Sequence, residues 1–131
     1  MATVKGIDHI SINTKDIQAS IRFYADILEF RQMETVQMDG FRIVYFDVPR
    51  GGRLELFDYD GKNPQAKRGE SEVGLRHLAF AVDDVKAAEE MLRKKGVTIL
   101  LPATDLPAAG VKVVLFLDPN SVTLEFSQKL S

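Results

Sequence analysis

The chain contains no cysteine and no tryptophan, and only two of its 131 residues are histidine. Without cysteine, neither a disulfide bond nor a thiolate metal site can form. No apolar run reaches the roughly 20 residues that a membrane-spanning helix requires. The first residues, MATVKGIDHI, carry no apolar stretch of the signal-peptide kind. We therefore expect a cytoplasmic protein with no membrane partner.

The chain also lacks a strong charge of either sign. Its 17 basic and 19 acidic residues leave a net charge of -2. Nucleic-acid binding requires a concentrated basic face, so this balance argues against a nucleic-acid partner. The 45% hydrophobic content is typical of a globular protein, and the length fits one domain.

The two histidines occur in similar short sequence segments. GIDHI at residues 6–10 resembles GLRHL at 74–78, and His9 and His77 are 68 residues apart. RLELF at 53–57 resembles TLEFS at 123–127, which places Glu55 and Glu125 70 residues apart. A single long repeat of this kind indicates a duplicated module rather than a solenoid.

Both halves show the same predicted order of elements. Residues 5–13 alternate as a half-buried strand does, Asp16 suits a helix N-cap, and Asp39-Gly40 is a hairpin signal. The stretch PATDLPAAG reads as a loop. In the first half, a helix with Ile17, Ile21, Tyr24 and Leu28 on one face is followed by strands at about 30–38, 41–48 and 53–59. In the second half we expect a helix at 84–95 and strands at about 75–82, 97–101, 111–117 and 122–127.

These elements predict an α+β fold of two tandem βαβββ modules, with the helices on one face of a curved mixed sheet around a metal cleft. We expect a single domain over 1–131. Module 1 covers about 4–60, an exposed linker about 60–73, and module 2 about 74–128.

Strand parity places the chemically active side chains on one face. In both first strands the apolar residues lie opposite the histidine, so His9 and His77 face away from the helices. Glu55 and Glu125 lie opposite the leucines of the last strands and can share that face. Buried carboxylates are costly unless they are paired or bound to a metal. Two imidazoles and two carboxylates suit zinc, nickel, cobalt, manganese or iron better than calcium.

The segments IDHISINTKDIQASIRFYADILEF, RLELF, GLRHLAFAVDDV and FLDPNSVTLEF resemble the vicinal oxygen chelate superfamily, which includes glyoxalases, bleomycin-resistance proteins and extradiol dioxygenases. The resemblance covers nearly the whole chain. It implies paired βαβββ modules and a divalent metal in a U-shaped cleft. The implied metal ligands are His9, Glu55, His77 and Glu125, an order most similar to that of bacterial glyoxalase I.

The resemblance implies a metal-dependent lyase or isomerase of the glyoxalase I kind. Such an enzyme moves a proton on a carbon next to a carbonyl through a metal-bound enediolate. Glu125 is the first candidate for the catalytic base, and Glu55 is its rival. Related proteins dimerise, and modules with exposed strand edges tend to pair, so we expect a homodimer acting on a small-molecule substrate.

Two departures concern the substrate. Asn13 and Tyr59 stand where bacterial glyoxalase I has an arginine and an asparagine that contact glutathione, so the identity of the thiol stays open. With Phe57, they are the candidate substrate-binding residues, and the two rings favour a flatter or more apolar substrate. Two alternatives also stay open. They are an iron-dependent dioxygenase of the extradiol kind and a metal-free protein that binds a small molecule such as an antibiotic.

Overall fold

The computed structural model describes residues 2–66 and 69–131 and divides into two compact units, Met1–Gln65 and Ala66–Ser131. The predicted α+β class and the two βαβββ modules are confirmed. The first unit contains β1 (His9–Thr14), α1 (Ile17–Arg22), β2 (Arg31–Gln37), β3 (Arg42–Asp47) and β4 (Arg53–Asp58). The second contains β5 (Leu78–Ala81), α2 (Val85–Lys94), β6 (Ile99–Leu106), β7 (Val111–Leu117) and β8 (Thr123–Lys129).

Each unit has its own four-stranded mixed sheet. The strand orders are β1-β4-β3-β2 and β5-β8-β7-β6, so the two sheets share one topology. The first and last strands of each unit pair in parallel, and the other pairs are antiparallel. The strand that carries the glutamate is therefore central. The strand beside it begins at the histidine in the first unit and one residue after the histidine in the second.

Both helices begin at an aspartate, as predicted for the first. The Asp16 carboxylate accepts a hydrogen bond from the Ala19 amide at 3.2 Å, and the Asp84 carboxylate accepts one from the Ala87 amide at 3.0 Å. These bonds satisfy amide groups that have no partner inside the helix. The helix starts are thus equivalent, 68 residues apart (84 minus 16).

The helix of the first unit differs from the sequence prediction in its second half. α1 ends at Arg22 and continues as a π-helical turn, Phe23–Ile27. Two consecutive rings at the start of this turn, Phe23 and Tyr24, are both buried, with their centroids 5.0 Å apart in an edge-on arrangement. The apolar spacing in the sequence predicted Tyr24 at the core but did not include Phe23.

The apolar face of each sheet forms the core of its unit. The alternation predicted for β1 is confirmed, since Ile12 is buried whereas His9, Ser11 and Asn13 are exposed. Fully buried side chains in the first unit include Tyr24, Val44, Phe46, Leu54 and Leu56. In the second unit they include Val85, Leu92, Val114, Phe116 and Leu124.

The prediction of a loop at PATDLPAAG was wrong for its first half. β6 extends to Leu106, and Pro102 and Ala103 together oppose the single residue Val114 as a bulge. The Ala103 amide donates a hydrogen bond to Glu89 of α2. This bond, followed by the one from Arg93, lowers the pKa of Glu89. Pro102 makes this part of the strand look like a loop in the sequence. The Ala103 amide next to it is hydrogen-bonded to α2 instead of to the neighbouring strand.

The start of β1 is held close to the start of β4. The Arg53 amide donates to the Asp8 carbonyl at 3.2 Å, and Gly52 has a φ of +81°. A Cβ at position 52 would lie 3.2 Å from the Asp8 carbonyl carbon and closer still to its oxygen. Only glycine therefore allows the backbone that carries His9 to approach this closely.

We expect Gly52→Ala to destabilise the protein by roughly 3 kcal/mol, because it adds a clash with backbone to an unfavourable φ. Gly40→Ala is the matched control, since Gly40 has a φ of +88° and nothing within 4 Å of an added Cβ. That variant should cost about 1 kcal/mol. Urea denaturation of both variants measures the difference, and equal losses would show that the close approach to Asp8 is not a constraint.

Candidate metal and substrate site

His9 and Glu55 meet across the parallel pair β1 and β4. His9 Nε2 lies 3.5 Å from Glu55 Oε1. The Glu55 side chain is only 12% exposed, whereas that of His9 is 45% exposed. The first unit therefore brings together the two residues that the repeat predicted as its metal ligands.

Two residues flank the Glu55 carboxylate. Ser11 on β1 and Tyr45 on β3 are the residues directly opposite Glu55 in the sheet. The Ser11 hydroxyl donates a hydrogen bond to Glu55 Oε1 at 2.6 Å. Burial, followed by the negative charge of Glu55, raises the pKa of Tyr45. Tyr45 therefore remains neutral at ordinary pH.

His9 is oriented by the residue before it. Its Nδ1 lies 2.7 Å from an Asp8 carboxylate oxygen, and this hydrogen bond, followed by the charge of Glu55, raises the pKa of His9. An ionised carboxylate can only accept, so the proton of a neutral ring resides on Nδ1. A neutral ring of this tautomer would present the Nε2 lone pair toward Glu55.

His77 and Glu125 form the equivalent pair in the second unit. His77 Nε2 lies 3.3 Å from Glu125 Oε1, with the side chains 23% and 17% exposed. His77 lies one residue before β5, although the sequence predicted it inside the strand. Its Nδ1 is buried and has no hydrogen-bond partner among the residues that the structure describes. Arg76, which occupies the position of Asp8, instead pairs with Glu70 at 3.7 Å.

The donor atoms of each pair fit a divalent ion. A neutral histidine nitrogen and a carboxylate oxygen are both electron-pair donors, so facing each other they require a proton or a cation between them. Two ligand atoms that each lie about 2.1 Å from a tetrahedral ion are about 3.4 Å apart. The distances of 3.5 and 3.3 Å agree with this spacing. Within residues 2–66 and 69–131, no group of three or more potential ligands converges, so the contacts are two pairs.

The substrate-binding candidates lie beside the first pair. Asn13 on β1 pairs in register with Phe57 on β4, and Phe57 stacks against Tyr59 with a centroid distance of 6.4 Å. Phe41, which the sequence argument missed, stacks on Phe57 at 5.6 Å and on Tyr59 at 5.1 Å. We call Phe41, Phe57 and Tyr59 the aromatic cluster. Phe41 directly follows the Asp39-Gly40 turn. The register of that hairpin is the sequence signal that could have placed Phe41 beside Phe57 and Tyr59.

The family model for the Glyoxalase/Bleomycin resistance protein/Dioxygenase superfamily matches residues 6–126. The chain belongs to this superfamily. A crystal structure of a glyoxylase/bleomycin resistance protein/dioxygenase domain from Frankia sp. EAN1pec has a TM-score of 0.81 and is 26% identical. The similarity covers 97% of this chain and 99% of the Frankia chain.

Three relatives of this superfamily member are similar over most of its length. The uncharacterized protein YaeR of Escherichia coli is 32% identical, over 98% of this chain and 100% of YaeR. A lactoylglutathione lyase of Haemophilus influenzae is 24% identical, over 94% of this chain and 92% of the lyase. A mitochondrial methylmalonyl-CoA epimerase of Dictyostelium discoideum is 26% identical, over 94% and 78% of the two chains.

In the described part of this chain, no helix is long and apolar enough to cross a membrane.

Proposed function

We propose that this protein is a metal-dependent lyase or isomerase that moves a proton on a carbon next to a carbonyl group. The observation that carries the proposal is the occurrence of the same histidine–glutamate pair, with the same donor atoms facing, in both units. A pair of this kind in one module alone is an ordinary polar contact. Its recurrence at the equivalent position of the second module is not expected of an ordinary polar contact, and the superfamily membership supports the proposal.

His9, Glu55, His77 and Glu125 are the proposed ligands. Each histidine would bind through Nε2, the atom that faces its glutamate. Asp8 would hold the His9 ring in the tautomer that leaves Nε2 free, an orienting role that carboxylates commonly play behind metal-bound histidines. A bound divalent ion would supply Lewis acidity that stabilises negative charge on substrate oxygen.

We propose Glu125 as the catalytic base. Its carboxylate would take the proton from the substrate carbon. The same carboxylate would return the proton to the neighbouring carbon, or a second acid would deliver a proton to the opposite face of the same carbon. The first outcome is an isomerisation and the second an epimerisation. The names of two relatives, a lyase and an epimerase, support this range of reactions. Glu55 is the rival base in the first unit.

The aromatic cluster is the proposed contact surface for the substrate. Its three half-buried rings lie on the strands and turn next to Glu55, and they suit a planar or apolar group. Asn13 adds an amide that can donate and accept hydrogen bonds. A homodimer remains part of the proposal, because β2 and β6 end their sheets as edge strands.

The test begins with the metal content of the purified protein by elemental analysis. Metal-loaded protein is then incubated in deuterated buffer with 2-oxoaldehyde–thiol adducts and with 2-substituted acyl thioesters. The proposal expects deuterium at the carbon next to the carbonyl, in a reaction that a chelator stops. Oxygen consumption with catechols would instead identify a dioxygenase. Binding of a planar compound, with no metal and no effect of chelator, would identify a binding protein.

A further inference from the structure

The two glutamates have different surroundings although their strands are equivalent. Glu55 lies between two hydroxyl-bearing residues, Ser11 on one neighbouring strand and Tyr45 on the other. Glu125 occupies the same register position between Ala79 and Leu115. Neither of these residues can donate a side-chain hydrogen bond.

The ring of Tyr45 is held in place. The Arg53 guanidinium lies 3.9 Å from the centroid of the Tyr45 ring. Arg53 forms an ion pair with Glu34, which sits in a bulge of β2 directly opposite Tyr45. A cation over the ring face and an ion pair behind the cation restrict the motion of the tyrosine.

The second unit has none of this support. Thr123 replaces Arg53 at the start of the last strand, and Ala103 takes the place of Glu34 in the corresponding bulge of β6. The polar contact that the described residues give Glu125 is His77 Nε2, at 3.3 Å. The Glu125 carboxylate can therefore change rotamer without breaking a hydrogen bond to a hydroxyl.

We infer that Ser11 and Tyr45 are positioning residues that fix Glu55, so that Glu55 acts only as a ligand while Glu125 is free to move as the base. This inference rests on the proposed function, because it treats both carboxylates as ligands. A base that also ligates must leave the metal when substrate arrives, and a carboxylate held by the Ser11 hydroxyl and packed beside Tyr45 resists that movement. The sequence difference between the modules thus assigns different roles to otherwise equivalent glutamates.

The first test needs neither metal nor activity. Relaxation of the ¹³C-labelled glutamate side-chain methylenes in metal-free protein reports their mobility on the picosecond–nanosecond scale. We expect Glu55 to be rigid and Glu125 mobile, and the double variant Ser11→Ala/Tyr45→Phe to make Glu55 as mobile as Glu125. Equal mobility of the two glutamates in the unaltered protein would overturn the inference, whatever the protein's activity.

The second test separates binding from turnover. Loss of groups that orient a metal ligand typically costs about 10- to 100-fold in metal affinity, so we expect that loss for zinc in the double variant. Ala79→Ser is the matched variant, because it places a hydroxyl beside Glu125 where Ser11 stands beside Glu55. It should lower kcat with little change in zinc affinity or KM. Unchanged zinc affinity in the double variant, in a protein that does bind zinc, would overturn the positioning role alone.

The two proposals can fail separately. A protein that binds no metal but shows a rigid Glu55 and a mobile Glu125 would contradict the proposed function and retain the positioning by Ser11 and Tyr45. A protein that binds metal and turns over substrate, but has two equally mobile glutamates, would support the proposed function and contradict the positioning by Ser11 and Tyr45. Thermal unfolding of each variant, with a midpoint within a few degrees of the unaltered protein, establishes that a loss of affinity is not a loss of fold.

Discussion

The Glu125→Gln variant should lose about 10²- to 10⁴-fold in kcat, which is the usual contribution of a positioned general base. Glutamine keeps the size of the side chain and an oxygen that can approach a metal, but it cannot accept a substrate proton. We therefore expect the variant to retain bound metal. The loss is measured as kcat in the deuterium-exchange assay, together with the metal content of the same sample.

Glu55→Gln is the matched comparison for that variant. It replaces the carboxylate that accepts the Ser11 hydrogen bond and lies beside Tyr45, so its main effect should be on metal affinity. Full turnover by Glu125→Gln would refute Glu125 as the base. If Glu55→Gln instead lost turnover and kept its metal, the roles of the two glutamates would be the reverse of those proposed.

The second large effect is expected from the histidines. His77→Ala and His9→Ala each remove a nitrogen that faces a carboxylate, and each should lower zinc affinity by about 100-fold or more. Zinc and the other transition metals that suit this ligand set owe much of their affinity for a protein site to imidazole nitrogen. Competition with a coloured chelator at a fixed pH measures the dissociation constants.

Arg76→Ala supplies the control for the histidine variants. Arg76 is adjacent to His77 in the chain, but its guanidinium turns to Glu70. Its removal should leave zinc affinity unchanged. If either histidine variant bound zinc as tightly as Arg76→Ala does, that histidine would not be a ligand. If only one of the two histidine variants lost zinc affinity, the two modules would not contribute equally to zinc binding.

The repeat made most of the fold predictable from the sequence. Each strand is half-buried, so its apolar residues alternate, and this alternation alone predicts His9 and Glu55 on one face of the sheet. Because the sequence is duplicated, the same alternation predicts the second pair, His77 and Glu125. The parallel pairing of β1 with β4 then brings the two side chains to 3.5 Å, a distance that parity alone does not specify.

The rest depends on register, which local patterns encode poorly. Ser11 and Tyr45 meet Glu55 only because both lie directly opposite it. The register also shifts once along β2 and twice along β6. In β6 the bulge contains Pro102, which reads as a strand breaker in isolation. The π-helical turn after Arg22 likewise changes a helical repeat that the apolar spacing alone describes as regular.

The parallel pairing of each module's first and last strands has a consequence for folding kinetics. His9 and Glu55 are 46 residues apart (55 minus 9), and His77 and Glu125 are 48 apart (125 minus 77). Contacts of such long sequence separation form late, because the loop between them must close before they contribute any stability. The helix and hairpin of a module can form from local contacts, but its histidine and glutamate meet only when the chain's outermost segments join. We therefore expect each half of the site to form late in the folding of its module.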